Sequence, residues 1–281
     1  MNSKLRAFMY FPLMRILIAF ALIVAWAAPM FFFAHQAHLR GVAAGAAHLL
    51  NGLGACAIYL AYVRFYERRA ATELKAASLL PQFLKGFGIG TGLFCSCVLI
   101  LWLSGAYVVT MVNSPMALLA PFLGALGAAT LEEIAIRGVL FRIMEEWLGT
   151  WTALILSAVI FGLLHAVNPD SNWRGLLGIA LEGGVILAAA YVYGRQLWIC
   201  MGLHCAWNFT DGGIFGVGPK AHSLLSADIR GPDWLTGGAD GLDTSLVAVL
   251  LCLAVSVAFL LLARRCGHIM APSWRRTSNP R

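Results

Sequence analysis

Three charged side chains stand within six residues of an otherwise apolar stretch, Leu131-Glu132-Glu133-Ile134-Ala135-Ile136-Arg137-Gly138. A charge near the centre of a bilayer costs roughly 2.5–3.5 kcal/mol on insertion scales, so this cluster needs compensation. On a helix Glu133 and Arg137 are four apart and pair, which offsets much of that cost. Glu132 is turned about 100° from Glu133 and has no partner at that spacing. One carboxylate is therefore read as structural support of the site, together with Arg137, and its neighbour Glu132 as the group available for chemistry.

Two further polar intrusions follow. Phe161-Gly162-Leu163-Leu164-His165 ends the apolar run that begins near Trp151, and Gly202-Leu203-His204-Cys205-Ala206-Trp207-Asn208 interrupts the next-to-last one. If the segments flanking Gly149-Thr150 are antiparallel helices, Glu132 and His165 both stand roughly 25 Å from the turn, at matching depth. His204 and Asn208 share one helix face and can donate to one point, as an oxyanion requires, although interhelical glue has the same spacing. His48 and Asn51 share a face with no acid beside them and read as packing contacts. Glu182 is an unpaired intramembrane acid of lower rank than Glu132, and Glu145 and Glu146 lie at an expected membrane boundary, where solvation is the simpler expectation.

The elements that must position these groups are membrane spans. Of 281 residues 60% are hydrophobic and 12% charged, against about a quarter charged in soluble domains. Six apolar runs approach the roughly 20 residues that cross a bilayer: Ile16–Ala34, Val42–Tyr62, Phe87–Met111, Trp151–Val167, Leu176–Tyr193 and Leu246–Ala263. Two more, Pro115–Met144 and Leu197–Phe209, carry the polar groups above. The expectation is an all-α polytopic protein of about eight transmembrane helices around a buried polar cavity, forming one domain over residues 1–281. Met1–Ala34 reads as a retained first helix, with a cleaved signal as the weaker alternative.

Basic residues crowd the loops that an even number of spans puts on the side of the termini. Both termini are therefore expected in the cytoplasm, of a bacterial inner membrane, and the net charge of +7 is accounted for by topology and anionic headgroups rather than by nucleic acid. The seven cysteines show no paired spacing for zinc and read as free thiols. Phe65–Gln82 suits either an amphipathic interfacial helix or a solvated connector. Asp211–Asp243, rich in Gly and Asp, suits a lid or substrate-contacting loop, with disorder as the alternative.

Taken in order, Glu132-Glu133-x-x-x-Arg137, Phe161-x-x-x-His165 and His204-x-x-x-Asn208 resemble the three motifs of the CAAX-protease and bacteriocin-processing (CPBP, or Abi) intramembrane proteases, a family related to the Ras-converting endoprotease. The resemblance covers Pro121–Asp211. It implies an intramembrane endopeptidase acting on a membrane-anchored peptide or protein, with Glu132 as general base on a water that His165 helps to hold, His204 and Asn208 as oxyanion donors, and Glu133 and Arg137 fixing the motif helix. The glutamate mechanism without a cofactor is favoured. A zinc site on Glu132, His165 and His204 remains the metal alternative, although the HExxH helix is lacking. A transporter, or a non-enzymatic immunity-type membrane protein, would use the same polar residues differently.

Overall fold

Apolar segments in lipid must satisfy their own backbone hydrogen bonds, which makes helices the spanning elements. The computed structural model describes residues 7–167, 172–217 and 223–276; Lys4, Arg6, Pro219, Lys220, Pro280 and Arg281 lie outside them. Long helices form at Pro12–Gln36 (α1), Gly41–Ala61 (α2), Leu79–Leu103 (α3), Leu119–Glu133 (α4) and Thr150–Leu164 (α6), with Arg142–Leu148 (α5) completing the fourth span. Trp173–Ile179 (α7) and Val185–Gly194 (α8) form one span, Leu197–Phe209 is α9, and Leu246–Arg265 is α10. Among the described residues, seven stretches are long and apolar enough to cross a membrane: 12–36, 41–66, 76–103, 115–148, 150–167, 173–194 and 246–265. The expected eighth, α9, is a helix of 13 residues of which ten, Leu197 and the run from Ile199 to Trp207, are buried, so it lies inside the bundle rather than against lipid.

Two close helix pairs fix the frame. α2 packs on α4 and α3 on α9, and each seam needs a residue without a side chain, because a Cβ on Gly127 would overlap the His48 carbonyl and one on Gly202 the Phe83 carbonyl. Small residues that let backbones touch replace the hydrophobic drive that lipid does not supply. The frame thus holds the helix bearing Glu132 and the helix bearing His204 in register.

Four helices widen into π turns among the described residues: Tyr62–Tyr66 after α2, Ile134–Phe141 after α4, Ala180–Gly184 between α7 and α8, and Thr210–Phe215 after α9. Such turns recur where a helix must re-aim side chains. A two-stranded antiparallel ribbon, Tyr107–Val112 (β1) with Leu225–Ile229 (β2), closes one end, pairing Tyr107 with Ile229 and Val112 with Leu225. The run expected to continue as helix to Met111 therefore stops at Leu103, where Ser104 and Gly105, at φ +75°, turn the chain into β1.

The opposite end is held by ions. Phe65–Gln82 forms no interfacial helix: between Tyr66 and the start of α3 at Leu79 it is a connector with only short 3₁₀ turns, and it lays two acids into the protein. Glu67 accepts from Arg142 at 2.8 and 2.9 Å and from Arg15 at 2.5 Å, and Glu73 accepts from Arg69 at 2.6 Å and from the Tyr59 hydroxyl. Glu145 is not solvated either: it is 2% exposed and accepts from Thr150 at 2.6 Å and Arg195 at 2.5 Å. Glu146 keeps 39% of its side chain exposed while pairing with Arg142 and Arg15. All seven cysteines are free, as expected.

Burial opposes ionisation of Glu67 and Glu73, but the arginines beside them overcome it and hold both carboxyls below the ordinary 4.5. A lowered folded value contributes stability that is full above 4.5 and lost as pH falls through the folded values. The melting temperature of the purified protein in detergent is therefore expected to drop on acidification below about 4.5, with a shallower drop in the Glu67→Gln/Glu73→Gln double variant; equal slopes in both proteins would contradict the ionic clasp.

Candidate functional site

The π turn that follows Glu133 and the one that contains Glu182 meet at a single guanidinium. Arg137 is fully buried. Its Nη1 donates to Glu133 Oε1 at 2.9 Å and its Nη2 to the carbonyls of Gly183 and Gly184 at 3.3 and 3.1 Å. The guanidinium also lies 4.5 Å from the ring centroid of Phe161, a cation–π contact. One arginine therefore ties α4, α6 and the turn Ala180–Gly184 together, and the expected Glu133/Arg137 pair is present with more partners than its spacing alone implies.

Glu133 serves a second donor. Its Oε1 also accepts from Nδ1 of His204 at 2.9 Å, while Oε2 finds no partner among the described residues. Because a carboxylate accepts, His204 Nδ1 is the donor, and Nε2 is the nitrogen turned to the neighbouring acid: it stands 3.8 Å from Glu132 Oε2. That gap is too wide for a direct hydrogen bond and suits a bridging water. Glu132 itself keeps 37% of its side chain uncovered by protein atoms, so its enclosure is partial where the sequence leads one to expect a buried base.

His165 sits in the 3₁₀ turn that ends α6. Its Nδ1 faces the Phe161 carbonyl at 2.9 Å and must donate there, which makes Nε2 the basic nitrogen of the neutral ring. The Phe161 ring is 5.0 Å from the His165 ring and 6.0 Å from the His204 ring, edge-on to both, and so acts as the spacer between them.

These groups surround a cavity with about 420 Å³ of empty space, whose walls include His165, His204, Asn208, Glu182 and Asp243. Glu132 is not part of its lining and borders it only through His204. Asn208 is also a wall of a second hollow of about 500 Å³, lined by His48, Pro121, Gly124, Ala125 and Ala128. Those α4 residues lie three, four or seven apart and continue to Glu132 on the same helix face. His48 packs edge-on against Phe31, with ring centroids 5.6 Å apart, and also borders this hollow, whereas Asn51 is 2% exposed with both amide atoms unpartnered among the described residues.

Asp243 had no motif to announce it. It ends the Gly/Asp-rich loop that begins at Asp211, and Trp207 Nε1 donates to its Oδ1 at 2.8 Å. The end of the loop thus reaches the cavity. Glu182, 5% exposed, is contacted by the Cys252 thiol at 3.8 Å.

Among the described residues, no three His, Cys, Asp or Glu side chains are arranged to hold a metal ion, Glu132, His165 and His204 included. His204 Nδ1 is committed to Glu133, which leaves Nε2 as the nitrogen open to a ligand or a water.

Removing one partner of a fully buried ion pair leaves an uncompensated charge, at a cost of about 3–5 kcal/mol. Arg137→Ala is expected to lower the melting temperature steeply and Arg137→Lys somewhat less, because lysine cannot reach Glu133 and two carbonyls at once. Thermal melts of the purified variants check this, and a wild-type value for Arg137→Ala would contradict the assignment.

The geometry coincides with one family comparison. Residues 114–210 match the family described as type II CAAX prenyl endopeptidase Rce1-like, a segment that contains all three motifs and excludes Asp243. A comparison with curated proteins finds no match. The chain is an integral membrane protein that carries a domain of the Rce1-like CAAX protease family, a family of peptidases.

Proposed function

We propose that the protein is an intramembrane endopeptidase that hydrolyses a peptide bond in a membrane-anchored peptide or protein, with a water activated by Glu132. The observation that carries this reading is the 3.8 Å gap between Glu132 Oε2 and His204 Nε2, beside a cavity shared by His165, His204 and Asn208. A water in that gap is within reach of a carboxylate base, and His165 Nε2 helps to hold it. As the water attacks, the carbonyl oxygen gains charge, and Asn208 and His204 donate to it. Since Nδ1 of His204 donates to Glu133, Nε2 donates to the oxyanion only when the ring carries both protons; the carboxylates of Glu132 and Glu133 complement that charge.

The substrate reaches Glu132 along the hollow between His48 and the small residues Pro121, Gly124, Ala125 and Ala128 of α4, which leaves room for an extended backbone. The 121–211 core works within one membrane domain spanning residues 1–281. With the arginine-rich end of the bundle in the cytoplasm, together with both termini, the cavity at the far end of α6 lies toward the outer leaflet of a bacterial inner membrane.

The test is cleavage of membrane-anchored peptides by purified protein. Wild type is expected to cut, and Glu132→Ala, His165→Ala and His204→Ala each to lose on the order of 100-fold or more in kcat. Equal cleavage by the variants would refute the assigned roles, and movement of a solute gradient with no cleavage would favour transport. Activity is further expected to survive thorough chelation; loss on chelation with recovery on adding zinc would reverse the metal-free assignment.

A further inference from the structure

Peptide hydrolysis needs an acid as well as a base, because an amine does not leave as its anion. The three motifs supply the base and the oxyanion donors. Two carboxylic acids outside them line the same cavity, Glu182 and Asp243. Asp243 is the one whose charge is felt by both motif histidines, His165 and His204, whereas Glu182 is held by Cys252 deeper in the bundle.

The surroundings of Asp243 hold it in place. Trp207, one turn beyond His204 on α9, donates to Oδ1 at 2.8 Å, while Oδ2 makes no hydrogen bond with any described residue. On either side the backbone is fixed: Ser245 N donates to the Leu242 carbonyl at 2.9 Å, Ser245 Oγ caps α10 through Ala248 N at 3.0 Å, and the Thr244 hydroxyl bonds Gly241 O at 3.0 Å. An acid so anchored, with one oxygen committed and its residue in the cavity wall, is set up to exchange a proton with whatever occupies that space.

We propose that Asp243 is a catalytic residue of this site, the acid that protonates the departing amine. The inference rests on the peptidase reading above. The proton balance closes as follows. Glu132 takes one proton from the attacking water, and the tetrahedral intermediate keeps the other on its new hydroxyl. As the C–N bond breaks, its electron pair goes to nitrogen and the Asp243 carboxyl proton joins it, leaving an amine and a carboxylic acid. The acid product returns a proton to Asp243 and Glu132 passes its own to the amine, so both side chains reset. Burial pushes the Asp243 carboxyl above its ordinary value, against the Trp207 bond and the two histidines, which act the other way. Glu182, Cys97 and Cys252 also face it, and none of them carries a positive charge.

The experiment compares a membrane-anchored peptide that wild type cuts with its ester analogue, whose alkoxide leaving group has much less need of protonation. Asp243→Asn is expected to lower amide cleavage about 100-fold and to leave ester cleavage close to wild type, with Asp243→Glu regaining part of the amide activity. Equal losses on both substrates, or no loss on the amide, would overturn the proposal. Trp207→Phe keeps the acid and removes a bond that favours its ionised form. The alkaline limb of amide cleavage is then expected at higher pH, and an unmoved limb would also overturn the proposal. If Glu132→Gln cuts both substrates as well as wild type, the base assignment has failed, a result distinct from the amide-to-ester ratio that reports on Asp243.

Discussion

A single carboxylate oxygen organises the interior. Glu133 Oε1 accepts from Arg137 and from His204, each at 2.9 Å, in a place with no exposure to solvent. Withdrawing a carboxylate from water costs several kcal/mol unless cations and donors replace the lost hydration. The chain must therefore bring Arg137 from the following helical turn and His204 from α9 to one point, and any packing that separates α4 from α9 leaves a charge stranded. The two close helix seams, α2 on α4 and α3 on α9, are what make that meeting possible, and both depend on residues that lack a side chain where backbones touch.

The chemistry is a consequence of that constraint. With Nδ1 of His204 fixed to Glu133, the ring can turn neither about its axis nor out of the cavity, and Nε2 is left aimed at Glu132. Adjacent glutamates on one helix point about 100° apart, so the residue next to the structural acid faces a different space, beside the cavity and in line with the small-residue face of α4. Arg137 extends the same logic to α6 and the turn Ala180–Gly184: by holding the carbonyls of Gly183 and Gly184 and stacking on Phe161, it sets the spacer between the two histidine rings.

Much of this was legible in the sequence because the cost of charge in lipid makes polar residues conspicuous. The four-residue spacing of Glu133 and Arg137 identified the pair, and the intrusions at His165, His204 and Asn208 marked walls of one cavity. Other features left no such trace. Glu67 reads as part of an interfacial helix or connector and Glu145 as a group at a membrane boundary, and both are paired by arginines far along the chain, Arg142 and Arg195, which no local pattern encodes. The ribbon of β1 with β2 joins segments more than a hundred residues apart, and its β1 half is apolar enough to pass for the end of a span. Asp243 is one of several acids in a glycine-rich loop, and only the fold distinguishes it, by setting it against Trp207.

The central claim, that a water activated by Glu132 attacks the peptide carbonyl directly, is tested most directly by a single turnover in heavy-oxygen water followed by mass analysis of substrate fragments and enzyme. Direct attack predicts one heavy oxygen in the new carboxyl terminus and none in the side chain of Glu132. Heavy oxygen in that side chain, with an unlabelled product in the first turnover, would mean that the glutamate itself had attacked, and would contradict the account.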